Sequence, residues 1–212
     1  MIYIILQIVL LIIAYLLGSI PWALIIGKLV KGIDIREYGS KNMGATNTLR
    51  VLGVKWGILV FVLDALKGAI IVAIMKYNFF NFDYTLFSFV INPLFYGIAA
   101  FLGHLFPIYT SFKGGKGVST ATGVILAYAP ILFVGGLIVF IIVFLITRYV
   151  SLSSCSAAIT AFIISLFIRP FDWYLVILAG ILTILINVKH IANYKRIFHH
   201  QENKIDFKQI KK

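Results

Sequence analysis

Polar groups able to hold an anion are concentrated between residues 39 and 50, which read Gly-Ser-Lys-Asn-Met-Gly-Ala-Thr-Asn-Thr-Leu-Arg. The segment supplies hydroxyls, carboxamides and the fixed cations Lys41 and Arg50, and it contains no acidic residue. Such groups bind phosphate or carboxylate oxygens through charge-assisted hydrogen bonds. Most of the remaining chain is apolar, so this segment predicts a site for a polar, anionic small molecule.

A second pattern typical of anion binding is the run Lys113-Gly-Gly-Lys-Gly117, which directly precedes an apolar stretch. Glycines let the backbone approach an anion closely, and the amides at the start of a helix point toward it. The run is not a Walker loop, because Gly117 stands where that motif has Ser or Thr. A flexible basic loop at a membrane surface explains the same residues equally well.

Two weaker polar segments lie further along the chain. Ser151 follows Arg148 in a short loop, and such a loop is more often only a turn. His190 and Asn193 are three residues apart, so they share one face of a helix. A single interfacial histidine is usually structural, but the adjacent cations Lys195 and Arg196 favour a functional interpretation.

Asp64 and Lys67 lie inside an apolar run that is long enough to cross a membrane. Each ionised group costs about 2.5–3.5 kcal/mol in such a position, so both are expected to face protein and to be paired. Their spacing allows a mutual ion pair, and a structural role is favoured. His104, near the end of the next apolar run, suits a polar cavity and a membrane interface equally well.

The composition identifies the solvent of these elements as lipid. Of the 212 residues, 61% are hydrophobic and only 12% are charged, which is about half the charge of a soluble domain. The apolar runs are continuous rather than alternating, which favours helices over a barrel. Most of the basic residues behind the net charge of +12 sit in a few loops between apolar runs, which excludes a nucleic-acid-binding surface. The single Cys155 excludes an internal disulfide.

The apolar runs must position the polar segments at one membrane face. Single spans are predicted at about 2–26, with an interruption at Gly18 and Pro21, and at about 56–75 and 86–106. The runs 118–147 and 152–188 are too long for one span, and each is predicted to form a helical hairpin. The chain is therefore predicted to be an all-α integral membrane protein with seven transmembrane helices.

Charge sets the predicted orientation, with the N-terminus outside and the C-terminus cytoplasmic. This arrangement leaves only Lys67, Lys76 and Arg169 of the nineteen basic residues away from the cytoplasmic face. The chain, 1–212, is treated as one membrane domain with a basic tail from about residue 203 near anionic lipid. The cytoplasmic segments predicted to form the active site are 31–55, 107–117, 148–153 and 189–212.

In combination, these segments resemble a known family, the bacterial acyl-phosphate:glycerol-3-phosphate acyltransferases (the PlsY family). Residues 39–50 resemble its first motif, 112–118 its second, and 190–202 its third, in the family's order. Residues 63–68 and 147–151 also resemble the family. One departure is His200, which stands where the family usually has glycine, and it bears on the turn of the tail more than on the chemistry.

The resemblance implies a multi-pass enzyme of the bacterial plasma membrane that transfers a fatty acyl group from acyl phosphate to glycerol 3-phosphate. The products would be lysophosphatidate and inorganic phosphate, in the first step of phospholipid synthesis. It implies no cofactor, no metal and no nucleic acid, with membrane lipid around the enzyme and an acyl-phosphate-producing enzyme upstream. The implied catalytic residues are Ser40, Arg50, His190 and Asn193. The implied substrate-binding residues are Asn42, Thr46, Asn47, Lys113, Gly114, Gly115, Lys116, Gly117 and Ser151. Glu202 would be structural.

Whether Asn42, Thr46 and Asn47 contact a ligand or hold the loop by hydrogen bonds stays open at this stage. Acyl phosphate is already activated, so positioning and charge stabilisation could suffice for the reaction. We therefore hypothesise that a substrate phosphate oxygen accepts the hydroxyl proton while His190 orients the reactants. Two rival functions are a transporter for a phosphorylated solute and a metal-dependent lipid phosphotransferase. The first lacks a paired half-repeat, and the second lacks an Asp cluster.

Overall fold

The computed structural model describes residues 2–78 and 91–205. All the regular structure in these residues is helical. The ten α-helices, numbered in chain order, are α1 Ile2–Ser19, α2 Trp22–Lys31, α3 Ala45–Leu52, α4 Val54–Tyr77, α5 Pro93–Leu105, α6 Val118–Tyr128, α7 Pro130–Thr147, α8 Val150–Ser165, α9 Trp173–Lys189 and α10 Ile191–Phe198. Two single-turn 3₁₀ helices, Ile35–Glu37 and Ile108–Thr110, precede the first two polar segments.

Four helical stretches in the described residues are long and apolar enough to cross a membrane. They are Ile4–Lys31, Val54–Tyr77, Pro93–Thr110 and Pro130–Thr147, and a fifth is obtained if α9 and α10, which meet at a 50° bend, are one span. Helices α6 and α8 are apolar but shorter. The chain is thus an integral membrane protein that is all-helical over the described residues, and its apolar exterior includes Ile142 and Ile146, exposed by 51% and 77%.

The predicted interruption of the first span is confirmed, since α1 ends at Ser19 and α2 begins at Trp22. Pro21 lies between them and has no N–H to continue the hydrogen-bond ladder. Each of the two long apolar runs also forms two helices, α6 with α7 and α8 with α9. The first part of the predicted 86–106 span falls outside the described residues.

The chain divides into two compact units between Tyr128 and Ala129. In the first unit, α1 packs on α5 and α4 packs on α6. Glycines bring these helices to backbone contact, because a methyl group on Gly18 would overlap Ala100 and one on Gly123 would overlap Ala65. In the second unit, α8 packs on both α7 and α9. Small residues at crossings replace the hydrophobic driving force that helices lack in lipid.

Candidate active site

The loop before α3 is built around the side chain of Asn47, which is 1% exposed. Its Oδ1 accepts hydrogen bonds from the Ser40 backbone N (2.7 Å) and the Ser40 Oγ (3.1 Å). Its Nδ2 donates to the carbonyls of Ile35 (3.0 Å) and Tyr38 (3.1 Å). A carboxamide has two donors and two acceptor lone pairs, so these four bonds use its whole capacity. Asn47 therefore holds the loop and orients Ser40.

The other polar residues of this segment lie closer to its surface. Asn42, Thr46 and Arg50 are half-buried, and Arg50 is in the last turn of α3. Thr48, in contrast, is fully buried and donates from Oγ1 to the Gly44 carbonyl at 3.2 Å. The segment thus separates into buried groups that fix its shape and half-buried groups that remain close to solvent.

The glycine-rich run lies directly on the end of α5. The Gly115 N–H donates to the His104 carbonyl at 3.2 Å. A methyl group on Gly114 would overlap that same carbonyl, and one on Gly115 would overlap the His104 ring at Nε2. Gly117 has φ +79°, a conformation that L side chains rarely adopt. The glycines are therefore required by the packing of this loop, whatever it binds.

The first two polar segments meet at Gly115. A methyl group there would lie 2.8 Å from the carbonyl oxygen of Met43, in the middle of the first segment. Lys113 is exposed and Lys116 is half-buried on the same loop. The structure thus brings Lys113–Gly117 against the segment that contains Ser40 and Asn47, although nothing in their spacing along the chain required it.

A buried charged cluster lies beside this junction. Asp64 Oδ1 is 2.7 Å from Lys67 Nζ, which forms the ion pair that the spacing predicts. Lys67 also donates to the Ile20 carbonyl at 3.0 Å, at the break between α1 and α2. His104 Nδ1 lies 3.6 Å from the same Asp64 oxygen. Together with Met43, Pro107 and the break between α1 and α2, the cluster lines a shallow, closely packed cleft.

In the second unit, the carboxylate of Glu202 accepts hydrogen bonds from several of the polar residues that the sequence singled out. Its Oε1 accepts from Ser151 Oγ (3.0 Å) and Asn193 Nδ2 (2.6 Å), and its Oε2 accepts from Arg196 Nε (2.7 Å). Burial acts to raise the pKa of this carboxyl, but the bonds from Asn193, Arg196 and Ser151 outweigh burial and hold the pKa below its ordinary value. The carboxylate thereby joins α8 to α10 and to the segment that follows α10.

The chain beyond Glu202 is more ordered than a free tail. The Ile205 N–H donates to the Arg148 carbonyl at 3.1 Å, and Ile205 is 6% exposed. The basic tail predicted to begin at about residue 203 is therefore held to the turn between α7 and α8 as far as residue 205. Residues 206–212 lie outside the described part of the chain.

His190 stands at the bend between α9 and α10 and is 4% exposed. Its Nδ1 is 2.8 Å from the Ile186 carbonyl, and because a carbonyl only accepts, this nitrogen must carry the proton. The His190 carbonyl in turn accepts from the Asn193 N–H at 2.8 Å. The Nδ1 side of the ring is thus oriented by a backbone carbonyl.

His104 is the polar residue that sequence reasoning left without a role. Its distance from Asp64 along the chain carries no signal, because the two residues meet only through the packing of α4 with α5. The sequence offered one weak indication of this contact, which is that a histidine and a carboxylate occur in two neighbouring apolar runs.

Comparisons with known proteins agree with the motifs. The model of a family described as glycerol-3-phosphate acyltransferase matches residues 8–200. Proteins named glycerol-3-phosphate acyltransferase from Bacillus velezensis and Bacillus subtilis are 47% and 48% identical to the chain. Both alignments cover 92% of this chain and 96% of the relative.

Two solved structures of PlsY (YgiH), an integral membrane glycerol 3-phosphate acyltransferase, share the fold. The glycerol 3-phosphate form has a TM-score of 0.85 at 40% identity, and the lysophosphatidic acid form has 0.81 at 39%. In each case the similarity covers 96% of this chain and 97% of the solved one. The chain therefore belongs to the PlsY family of integral membrane glycerol-3-phosphate acyltransferases.

Proposed function

We propose that this acyltransferase takes its fatty acyl group from acyl phosphate and transfers it to glycerol 3-phosphate. The glycerol hydroxyl oxygen attacks the acyl carbonyl carbon, the bond from that carbon to the phosphate oxygen breaks, and the hydroxyl proton leaves with phosphate. The products are lysophosphatidate and inorganic phosphate. The observation that carries the proposal is the PlsY similarity over 96% of the chain, to structures in glycerol 3-phosphate and lysophosphatidic acid forms.

The charge of the polar segments supports two phosphate-bearing substrates. Lys113, Lys116 and Arg50 supply cations, and the glycine run supplies backbone amides. Several charge-assisted bonds of about 1.5–3 kcal/mol each would hold a phosphate. Ser40, Arg50, His190 and Asn193 are assigned to catalysis. Asn42, Thr46 and the glycine run are assigned to substrate contact, and so is Ser151, which the structure places buried in the first turn of α8 rather than in a loop.

The proton-transfer hypothesis is supported by the surroundings of His190. Its Nδ1 donates to the Ile186 carbonyl, so the orienting carboxylate of a typical histidine base is replaced by a neutral group. A substrate phosphate oxygen accepts the hydroxyl proton, and His190 orients the reactants. Positioning of two bound substrates then accounts for most of the rate enhancement.

The proposed setting is the bacterial plasma membrane, with seven spans, the N-terminus outside and the C-terminus cytoplasmic. Helices α6 and α8 are counted as spans, because only then do the basic loops share one side. The cytoplasmic segments 31–55, 107–117, 148–153 and 189–212 carry the residues that act in the reaction. An enzyme that activates fatty acids as acyl phosphates must supply the donor.

The test is a donor comparison with purified full-length protein in EDTA. We expect acyl phosphate and glycerol 3-phosphate to give equal amounts of inorganic phosphate and lysophosphatidate. Acyl-CoA and acyl carrier protein are offered as alternative donors under the same conditions. An equal rate with either alternative donor would show that the assignment of acyl phosphate as the donor is wrong. A strict requirement for Mg²⁺ would contradict a metal-free reaction.

A further inference from the structure

The buried cluster of Asp64, Lys67 and His104 is unusual for its position in the molecule. The three residues are 1%, 6% and 6% exposed, and Asp64 and Lys67 lie within a transmembrane helix. Ionisable groups are rare at such depth and usually have a function. An ion pair that served only to neutralise Lys67 would not need the imidazole of a second helix.

The carboxylate stands between two basic side chains. Asp64 Oδ1 is 2.7 Å from Lys67 Nζ and 3.6 Å from His104 Nδ1. The second distance exceeds a direct hydrogen bond but still allows electrostatic attraction in a medium of low dielectric constant. Lys67 is fixed from its other side by the Ile20 carbonyl. The carboxylate is therefore paired with a fixed ammonium group, and it attracts the imidazole electrostatically.

The opposite side of His104 supports the glycine run. Its carbonyl accepts the Gly115 N–H at 3.2 Å, and its Nε2 edge fills the space that a side chain on Gly115 would need. A movement of the ring would therefore leave a gap directly under Gly115. The imidazole is the link between the buried ion pair and the loop that carries Lys113 and Lys116.

We propose that Asp64, Lys67 and His104 form a positioning brace that fixes the conformation of the loop Lys113–Gly117 for binding glycerol 3-phosphate. The substrate in this statement rests on the proposed function, whereas the brace itself rests on the contacts above. None of the three residues touches substrate. They act through the position of the loop backbone at Gly115 and of the two lysines.

The decisive variant is the double substitution Asp64→Leu with Lys67→Met. Both charges are replaced by apolar groups of similar size, which is often tolerated when removal of a single partner is not. His104→Leu is the second variant, since it leaves the ion pair intact. Lys76→Met is the matched control, because Lys76 lies in the same helix and likewise donates to a carbonyl, that of Tyr128 at 2.6 Å.

The kinetic readout is the KM of each substrate. We expect the double variant and His104→Leu to raise the KM for glycerol 3-phosphate by about tenfold or more, with little change in the KM for acyl phosphate. Combining all three substitutions should add little further, because they disable one brace. Lys76→Met should behave as the unsubstituted enzyme. Unchanged KM values in both well-folded variants would overturn the brace.

A second readout does not depend on activity. Limited trypsin digestion of the full-length protein reports cleavage after the exposed Lys113, with thermal unfolding measured in the same detergent. Faster cleavage in either variant at an unchanged midpoint supports the brace, and unchanged cleavage in both contradicts it. If the unsubstituted protein proves inactive with glycerol 3-phosphate while cleavage still responds, the proposed function fails and the brace stands.

Discussion

At the scale of the residue, hydrogen-bonding capacity separates positioning groups from groups available to a ligand. Asn47 donates both of its amide hydrogens to the carbonyls of Ile35 and Tyr38, and its Oδ1 accepts two hydrogen bonds from Ser40. Ser40 therefore reaches its place through Asn47. This geometry favours the second of the two roles that the sequence left open for Asn47, that of holding the loop.

Asn47→Asp is predicted to be strongly destabilising although the side chain keeps its shape. The carboxylate would lose both donors, leave two carbonyls without their partner and bury a charge. We expect a loss of about 2–4 kcal/mol in the free energy of unfolding, together with a fall in kcat/KM. Denaturation and steady-state kinetics of the purified variant measure both quantities.

The half-buried Asn42 in the same segment provides the control for that substitution. Asn42→Asp adds the same charge at a more exposed position, so its effect on unfolding should be much smaller. Equal losses of stability in the two variants would contradict the positioning role of Asn47.

Residue types and spacing were enough to locate the polar segments but not their contacts. Polar segments are rare in such an apolar chain and therefore indicate functional residues. This pattern was enough to single out Ser40, Asn47 and the glycine run. Which of them bond to each other depends on loop conformation, and side-chain type does not determine that. His104 was without a role for the same reason, since its partner Asp64 is on another helix.

At the scale of the element, glycine contacts decide how closely helices approach. A methyl group on Gly123 of α6 would overlap the backbone of Ala65 in α4, and one on Gly68 of α4 would overlap the backbone of Thr120 in α6. These reciprocal contacts fix the separation of the two helices. Helix α6 begins directly after the glycine run, so the contacts that fix α6 also support this part of the candidate site.

Gly123→Ala is predicted to lower the thermal midpoint markedly, because the obstructing group is backbone and cannot rotate away. Gly135→Ala in α7 is the matched control, since the nearest atom there is Cδ1 at the flexible end of Ile164. We expect overpacking at Gly123 to cost about 1–3 kcal/mol and Gly135→Ala to cost less. Thermal unfolding of both variants in one detergent measures the difference, and a larger effect at Gly135 would count against it.

Helix existence was predictable from hydropathy, but helix length was not. Pro21 and Pro130 marked breaks that the structure contains. The 11 residues of α6 are fewer than the roughly 20 that a typical span requires. Its start is set by the glycine run that packs on α5, which is a tertiary constraint absent from the apolar pattern.

At the scale of the whole molecule, the distribution of cations predicts the orientation in the membrane. Apart from Lys67, Lys76 and Arg169, every basic residue lies in the four segments assigned to the cytoplasm or borders them. Lys41, Asn203 and Arg169 are exposed. The first two lie on the predicted cytoplasmic side and Arg169 lies on the predicted outer side.

Single cysteines at these positions test the orientation. In a Cys155→Ala background, Arg169→Cys should react with an impermeant maleimide in intact cells. Lys41→Cys and Asn203→Cys should react only after the membrane is permeabilised. Reaction of Lys41→Cys from outside would refute the predicted topology, and the denatured proteins serve as the labelling control.

The ion pair within α4 also has a consequence for biosynthesis. Asp64 and Lys67 lie one turn apart on a single helix, 2.7 Å between charged atoms. The segment can therefore leave the translocon for lipid as a neutral unit, without a neighbouring helix to compensate either charge. The donation from Lys67 to the Ile20 carbonyl then forms when the broken first span is met.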